Sequence, residues 1–251
     1  LTDRDAGAQL GVAAADGLVL AGPDGVFRLQ QPSRMGDQRG PVWDLLTLPE
    51  AKATFVARGS RLEVIAHEAP SRGAQAFAAL RSRFLARGPQ GDLVTHDGDQ
   101  IVRVDPKSGA VTELFMARGR GVDGKPGQGS LSALRATNDG TIWAASGASL
   151  FRHAHGETTE YSHFSDPAQF PSQSHFISSL VETDAGELWV VASDERHLQH
   201  QGRPMSGGLL RWTGAGFERI QTEPGQPWYF SSFTPLGGGD AVLGSNQGFV
   251  L

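Results

Sequence analysis

Short runs of alternating apolar and polar residues, separated by turn residues, extend along most of the chain. From Ile177 to Glu182 the two kinds of position alternate with period two, and Leu188 to Ala192 is continuously apolar. The first pattern predicts a strand buried on one face, and the second a strand buried on both faces. Asp184 to Gly186 separates them, and the glycine supplies the positive φ that a tight turn needs. This stretch therefore predicts two strands of an antiparallel meander.

The same pattern recurs along the chain. The spacing from Gly140 to Trp143 equals that from Gly186 to Trp189, and weaker copies occur at residues 16–28, 91–104 and 239–251. Repeats of roughly 40 to 50 residues are typical of four-stranded propeller blades, which bury both faces only when they stack. The prediction is one all-β domain or fragment, a β-propeller of about six (five to seven) four-stranded antiparallel blades. The approximate repeats are 9–41, 42–81, 82–130, 131–176, 177–229 and 230–251.

Two details of this pattern bear on packing. Trp143 and Trp189 hold the same place in an apolar strand, so we expect both to pack between neighbouring blades rather than to bind a ligand. Ala76, Phe77 and Leu80 fit helical spacing as well as strand spacing, so this stretch stays ambiguous.

Composition narrows the function classes. The chain has 33 glycines, 14 prolines, no cysteine and a formal net charge of −5. No apolar run is long enough to span a membrane, and no basic stripe suggests nucleic acid. The missing cysteines exclude disulfides, thiolate metal sites and cysteine nucleophiles. The chain starts with Leu1 and ends in an apolar run, so we expect a piece of a longer protein.

The repeat pattern is Leu/Ile-Ser-x-Leu, Asp-x-Gly or Asp-Gly, Leu/Ile-Trp and Gly/Ser-Leu-x-Arg. It is clearest at residues 131–152 and 177–212 and resembles the two-component regulator propeller repeat. The resemblance implies a periplasmic sensor region of a bacterial histidine kinase or related signalling protein. Any kinase activity would then lie outside this chain, and another propeller or signalling domain of the same protein is an expected partner.

Connection length suggests where a ligand would bind. In a four-stranded meander the first and third turns lie at one end of the sheet, while the second turn and the connection to the next sheet lie at the other. Each long segment is expected to be either a second turn or a connection to the next sheet. These segments are residues 118–130, 165–175, 194–207 and 222–228. Because functional residues concentrate on loops of a rigid scaffold, we expect the binding face there.

The candidate ligand-binding residues are polar or aromatic side chains of these segments. They are Arg118, Arg120, Asp123, Lys125, His175, Glu195, Arg196, His197, Arg203, Trp228 and Tyr229. The arginines and lysine suit carboxylate, phosphate or sugar hydroxyls, and the aromatic pair suits a sugar or an aromatic ligand. His197 and His200 with two nearby carboxylates could ligate zinc, but hydrogen-bonding recognition is the favoured interpretation. No metal ligand, catalytic residue or cofactor is assigned.

Three functions remain open. The favoured hypothesis is a ligand-sensing propeller domain of a bacterial signal-transduction protein that binds a small molecule or carbohydrate. The alternatives are a propeller enzyme of the lyase, lactonase or glycan-cleaving type and a protein interaction scaffold. No nucleophile elbow or His-Glu-x-x-His motif supports catalysis. Nucleic acid and membrane contact within this segment are not expected.

Overall fold

The structure is a computed structural model, and it is built from strands. It describes residues 10–14, 17–22, 25–30, 42–58, 61–69, 74–121, 123–166, 168, 170, 176–193, 208–220, 230–237, 240–245 and 248–250. Within these residues the chain forms six antiparallel sheets and no α-helix; a single 3-10 turn covers Pro49–Ala51. The expected all-β class is confirmed.

Each sheet consists of strands that are consecutive in the chain. Sheet 1 contains β1 (Leu10–Ala14), β2 (Gly17–Gly22) and β3 (Gly25–Gln30). Sheet 2 contains β4 (Val42–Leu48), β5 (Ala53–Arg58), β6 (Arg61–Ala66) and β7 (Gln75–Ala78). Sheet 3 contains β8 (Ala86–Arg87), β9 (Leu93–Asp97), β10 (Gln100–Val104) and β11 (Val111–Met116).

The second half of the chain continues in the same way. Sheet 4 contains β12 (Leu131–Ala136), β13 (Ile142–Ser146), β14 (Ser149–Ala154) and β15 (Glu157–Tyr161). Sheet 5 contains β16 (Phe176–Glu182), β17 (Leu188–Ser193), β18 (Gly208–Trp212) and β19 (Phe217–Ile220). Sheet 6 contains β20 (Phe230–Gly237), β21 (Asp240–Ser245) and β22 (Gly248–Val250).

Four sheets have the four strands of a propeller blade, whereas sheets 1 and 6 have three. Six four-stranded blades was therefore too high a count for the described residues. The sequence between β3 and β4 is rich in proline, glycine and charged residues and lacks the period-two alternation of a further strand. The ambiguous stretch at Ala76 begins as a strand, because Gln75–Ala78 pairs with β6.

The repeated Leu/Ile-Ser pair marks a β-bulge. The register between first and second strands shifts between Leu131 and Ala133 in sheet 4 and between Ile177 and Ser179 in sheet 5. A bulge places an extra residue on one strand and bends it locally. In sheet 4 the bulged Ser132 donates its hydroxyl to the carbonyl of Ile177 at 2.6 Å. The serine thus joins neighbouring sheets, which gives this part of the motif a structural role.

In sheets 2 to 5, whose side chains are described, burial decreases from the second strand to the fourth. All residues of β13 are buried, whereas the first three residues of β15 are exposed. A central strand buried on both faces needs continuous apolar or small residues, which β13 supplies as Ile-Trp-Ala-Ala-Ser. The fourth strand is therefore the edge of the blade.

The chain divides into two compact units. The first comprises Leu1–Arg87, Gly91–Asp97 and Arg103–Val111, and the second comprises Gly88–Gln90, Gly98–Val102 and Thr112–Leu251. In the first unit Val56 and Ile65 pack with Leu45 and Ala74. The second unit holds the whole of sheets 4, 5 and 6.

Sheets 4 and 5 share a cluster of buried apolar residues. It combines Trp143 and Leu150 of sheet 4 with Ile177, Leu210 and other residues of sheet 5. Trp143 is 2% exposed, and Trp189 stacks on Phe233 of sheet 6 with ring centroids 5.2 Å apart. Both tryptophans pack between neighbouring sheets, which confirms the packing part of that prediction.

Candidate functional site

A tight turn between β12 and β13 forms one edge of the candidate site. Gly140 has φ +87°, and its N–H donates to the carbonyl of Thr137 at 2.9 Å. Asp139 accepts from the hydroxyl of Thr137 at 2.6 Å and from the N–H and hydroxyl of Thr141 at 2.9 and 3.0 Å. These bonds to a turn carboxylate hold the loop in one shape. The glycine behaves as the sequence predicts.

The charge of Asp139 is stabilised by this turn. Burial opposes ionisation of its carboxyl, but hydrogen bonds from Thr137 and Thr141 outweigh that cost, and the positive charge of Arg152 adds to them. Together they lower the pKa of Asp139 below its usual value. The side chain is therefore a carboxylate at neutral pH.

Glu182, at the end of β16, closes the opposite edge. Its carboxylate accepts the backbone N–H of Asn138 at 2.8 Å and lies 3.5 Å from the guanidinium of Arg135. The side chain of Glu182 is only 3% exposed. A buried carboxylate is tolerated where an opposite charge and hydrogen bonds compensate for desolvation. Glu182 thus ties the turn of sheet 4 to the first strand of sheet 5.

Aromatic rings form the floor of the candidate site. Trp143 meets Trp212 edge to face with centroids 5.2 Å apart, and Tyr161 meets Trp212 at 5.4 Å. Phe217 joins the same cluster, 5.9 Å from Trp143. Such contacts between rings stabilise a rigid apolar base. Burial raises the pKa of Tyr161, so its phenol stays neutral.

Arg152 of β14 lies above this floor. Its Cζ is 5.9 Å from the ring centroid of Trp143 and 5.7 Å from that of Trp212, which are cation–π distances. Its Nε is buried and has no hydrogen-bond partner among the residues that the structure describes. A desolvated donor without an acceptor is costly, and a bound molecule or water would supply one.

These groups surround a cavity of about 210 Å³. The liquid-volume share of a water molecule is about 30 Å³, so a compact molecule the size of several waters would fit. The lining residues are Thr137, Asn138, Asp139, Thr141, Trp143, Arg152, Glu182, Gly186, Leu188 and Trp212. We call this site the turn pocket. It lies at the end of sheets 4 and 5 that carries the short first turns.

Strand order puts the second turn of each sheet, and the connection to the next sheet, at the end opposite the turn pocket. Residues 117–130 connect β11 to β12, and residues 194–207 connect β17 to β18. Of the four segments, residues 118–121 and 123–130 are described at this end, whereas residues 194–207 and 222–228 and most of 165–175 lie outside the described residues. Whether that end binds a ligand stays a prediction.

The cationic segment between β11 and β12 forms hydrogen bonds and ion pairs with other groups of the protein. Arg120 donates through Nε to Glu160 at 3.1 Å and through Nη1 to the carbonyl of Gly124 at 3.1 Å. Lys125 lies 2.7 Å from Asp123, and Arg118 lies 3.8 Å from Asp99. Each of these three predicted cations therefore has a carboxylate neighbour in the protein, and none of the three lines the turn pocket.

The remaining predicted site residues lie outside the described residues. They are His175, Glu195, Arg196, His197, Arg203, Trp228 and Tyr229. His200 of the weighed zinc hypothesis lies outside them too. Within the described ranges, no three His, Cys, Asp or Glu side chains are arranged to hold a metal ion. Over the same ranges, no helix has the length and apolarity needed to cross a bilayer.

Sequence reasoning missed Arg152, Asn138 and Asp139 as site residues. Asn138 and Asp139 looked like ordinary turn residues, and Arg152 belongs to the repeated Gly/Ser-Leu-x-Arg pattern. One signal was available: Thr141 stands where the next repeat has Glu187, so the partners of the repeated arginine differ between repeats.

Comparison with known proteins identifies the fold and leaves the family open. No protein-family profile matches the chain, and no curated protein matches it. Among solved structures, a catalytically inactive virginiamycin B lyase from Staphylococcus aureus with quinupristin matches with TM-score 0.62 and 12% identity, covering 99% of this chain and 80% of the lyase.

Two further structures show the same fold in other contexts. The extracellular domain of a putative hybrid two component system, BT4673 from B. thetaiotaomicron, matches with TM-score 0.60 and 16% identity over 99% of this chain. The chain spans only 32% of that domain. A putative gluconolactonase matches with TM-score 0.54 and 14% identity, covering 82% of this chain and 73% of the other. With the observed meanders, these similarities support a propeller fold.

Proposed function

We propose that this chain is a ligand-binding propeller module of a bacterial signal-transduction protein, and that it binds a small molecule in the turn pocket. The observation that carries the proposal is Arg152, a cation held over two indole rings in a cavity, whose buried Nε–H has no hydrogen-bond acceptor among the described residues. An arginine in this state is prepared for a polar ligand, because the ligand would complete its hydrogen bonds.

The rigidity of the pocket supports binding. Asp139 is held by three hydrogen bonds and Glu182 bonds to the backbone of Asn138, while the aromatic floor is close-packed. Side chains that are already ordered lose little entropy when a ligand binds. Ligand binding should therefore cost little conformational entropy in these side chains.

Signalling is proposed from fold similarity and from the repeat pattern. The extracellular domain of a putative hybrid two component system shares the fold, and the repeats resemble those of sensor propellers. An extracytoplasmic location and a second propeller or signalling domain of the same protein belong to this proposal.

Turnover is not part of the proposal. The hydroxyls of Thr137 and Thr141 in the turn pocket are hydrogen-bonded to Asp139, and no histidine or lysine is among its lining residues. A nucleophile needs an adjacent base to be activated. The pocket thus favours a binding role over that of a lyase or lactonase.

A thermal-shift screen tests the function. The panel contains mono- and oligosaccharides, amino acids, organic acids and phosphates, because a ligand of the native state raises the melting temperature by mass action. Asn138→Trp fills the mouth of the turn pocket from an exposed position. Asp184→Trp places the same bulk on the corresponding exposed turn of sheet 5, outside the lining residues, and is the matched control.

We expect at least one compound to give a saturable shift that Asn138→Trp abolishes and Asp184→Trp keeps, with the compound recovered intact. A shift that survives Asn138→Trp would place the ligand elsewhere, and the absence of any shift in the folded protein would contradict the ligand-binding role. Chemical change in the recovered compound would favour an enzyme.

A further inference from the structure

Arg152 and Arg211 occupy the same position in neighbouring sheets. Arg152 pairs across the strands with Trp143, and Arg211 pairs in the same way with Trp189. Each guanidinium lies 5.9 Å from the ring centroid of its tryptophan. The two sites are therefore a natural comparison, because backbone register and aromatic neighbour are matched.

Arg211 is neutralised within its own sheet. It faces Glu218 across the pairing of β18 and β19, and its Nε donates to that carboxylate at 2.5 Å. A second carboxylate, that of Glu187, lies 3.4 Å from Nη1 and accepts the indole N–H of Trp189 at 3.3 Å. Two carboxylates thus satisfy one guanidinium.

Sheet 4 has threonine at both of these positions. Thr159 faces Arg152 across β14 and β15, where Glu218 faces Arg211. Thr141 precedes the Ile142-Trp143 pair as Glu187 precedes Leu188-Trp189. A threonine hydroxyl cannot balance a positive charge. Sheet 4 therefore keeps the arginine and lacks both carboxylates that neutralise it in sheet 5.

The acids around the turn pocket do not replace them. Asp139 is hydrogen-bonded to Thr137 and Thr141, and Glu182 lies against Arg135 and the N–H of Asn138. In the part of the chain that the structure describes, neither forms an ion pair with Arg152. Arg152 therefore has no carboxylate within ion-pair distance among the described residues, and Asp139 interacts with its charge only at longer range.

Resting on the proposed function, we infer that the ligand of the turn pocket carries a carboxylate, which binds Arg152 on the side where Glu187 lies beside Arg211. Thr141, the counterpart of Glu187 in sheet 4, lines the pocket. The planar guanidinium presents two parallel donors that match a carboxylate. A phosphate dianion fits less well, because it would meet one cation and two rim carboxylates, Asp139 and Glu182. The cavity limits the ligand to a compact acid, such as an acidic monosaccharide or a small organic acid.

Matched acid and neutral probes test this inference. D-glucuronate is compared with D-glucose, and acetate with acetamide, at constant ionic strength with inorganic phosphate as a third anion. Calorimetry measures affinity, and tryptophan fluorescence reports on Trp143 and Trp212 beside Arg152. Both methods use the whole chain.

Three variants decide the role of Arg152. Thr159→Glu rebuilds the partner of Arg211 at an exposed position of sheet 4 and should occupy the guanidinium without disturbing the fold. Arg152→Met removes the cation but keeps an apolar stem over the indoles. Arg211→Met is the matched control, since Arg211 does not line the turn pocket.

We expect the acids to bind more tightly than their neutral counterparts. Thr159→Glu and Arg152→Met should each weaken acid binding by at least about tenfold, and Arg211→Met should leave it unchanged. Preference for the neutral probes or for phosphate, or acid binding that survives Thr159→Glu, would overturn the carboxylate inference and leave the ligand-binding role standing. If neither these probes nor the screening panel bind, both proposals fail.

Discussion

The arginines at the two ends of sheet 4 have different surroundings. At the end with the long connections, Arg120 donates to Glu160, and its backbone N–H donates to Ser149 at 3.1 Å. At the short-turn end, Arg152 lies in a cavity with its Nε unpaired within the described chain. The long, glycine-rich segment is thus packed against the sheet by its polar groups, while the compact turn borders an open site.

This difference shows that a long, glycine-rich connection is not by itself an open surface. Residues 118–130 look like a flexible cationic loop in the sequence, but Gly119 accepts two backbone hydrogen bonds, from Gly127 at 2.9 Å and Gly129 at 3.1 Å. The backbone of Gly147, with φ +57°, lies against Gly129. These contacts hold the segment against sheet 4.

The largest expected effect tests how tightly the long segment is packed. A Cβ added at Gly119 would overlap the backbone carbonyl of Ser146, the last residue of β13. Gly119→Ala should therefore destabilise the protein by about 3 kcal/mol, the upper range for overpacking, measured by urea unfolding. Gly156→Ala is the control: its Cβ would meet nothing within 4 Å, and only its φ of +83° would cost about 1 kcal/mol. Equal losses would show that the segment is loosely packed.

A smaller effect separates stability from binding. Arg120→Met breaks the ion pair between Arg120 and Glu160, in which the two side chains are 26% and 30% exposed. The change should lower the free energy of unfolding by about 1 to 2 kcal/mol. Arg118→Met, which removes a more exposed ion pair at 3.8 Å, should cost under about 0.5 kcal/mol. Neither should change ligand affinity in the thermal-shift screen. Lost affinity in Arg120→Met would move the site to the long-connection end.

The smallest effect concerns acid sensitivity of the turn. Because the pKa of Asp139 is lowered from 3.8 in the folded protein, its carboxylate contributes stability above that value, and the contribution is lost as pH falls through the folded pKa. Asp139→Asn should be less stable than the parent at neutral pH by under about 1 kcal/mol, with the gap closing in acid. Unfolding curves at several pH values measure it, and a gap that widens in acid would contradict this role.

Much of the fold was predictable because the same apolar runs and turn glycines recur in successive repeats. Continuous apolar residues in β13 and β17 require strands buried on both faces, and Gly140 and Gly186 require turns between antiparallel strands. The serines of the Leu/Ile-Ser pair were less transparent, since a bulge that donates a hydrogen bond to the next sheet follows from three-dimensional neighbours. Blade count was the weak point, because sheets 1 and 6 have three strands.

The turn pocket was harder to predict. Arg152, Arg211 and Arg103 are similar residues in similar contexts in the sequence, yet Arg103 lies 2.6 Å from Asp92 and Arg211 pairs with Glu187 and Glu218. Only strand register shows that Thr159 faces Arg152. The difference lies in the acidic partners, which are separated from the arginines in the sequence but lie beside them in the sheet.

The amino-acid sequence by itself determined the all-β class, the meander of each repeat, the turn glycines and the packing role of Trp143 and Trp189, since alternation and tight-turn geometry are local properties of the chain. Tertiary structure decided which charges meet. It joined Arg120 to Glu160 and Arg211 to Glu218, and it left Arg152 beside Thr159 over an aromatic floor, because ion pairing depends on which side chains the strand register and neighbouring sheets bring within a few ångströms.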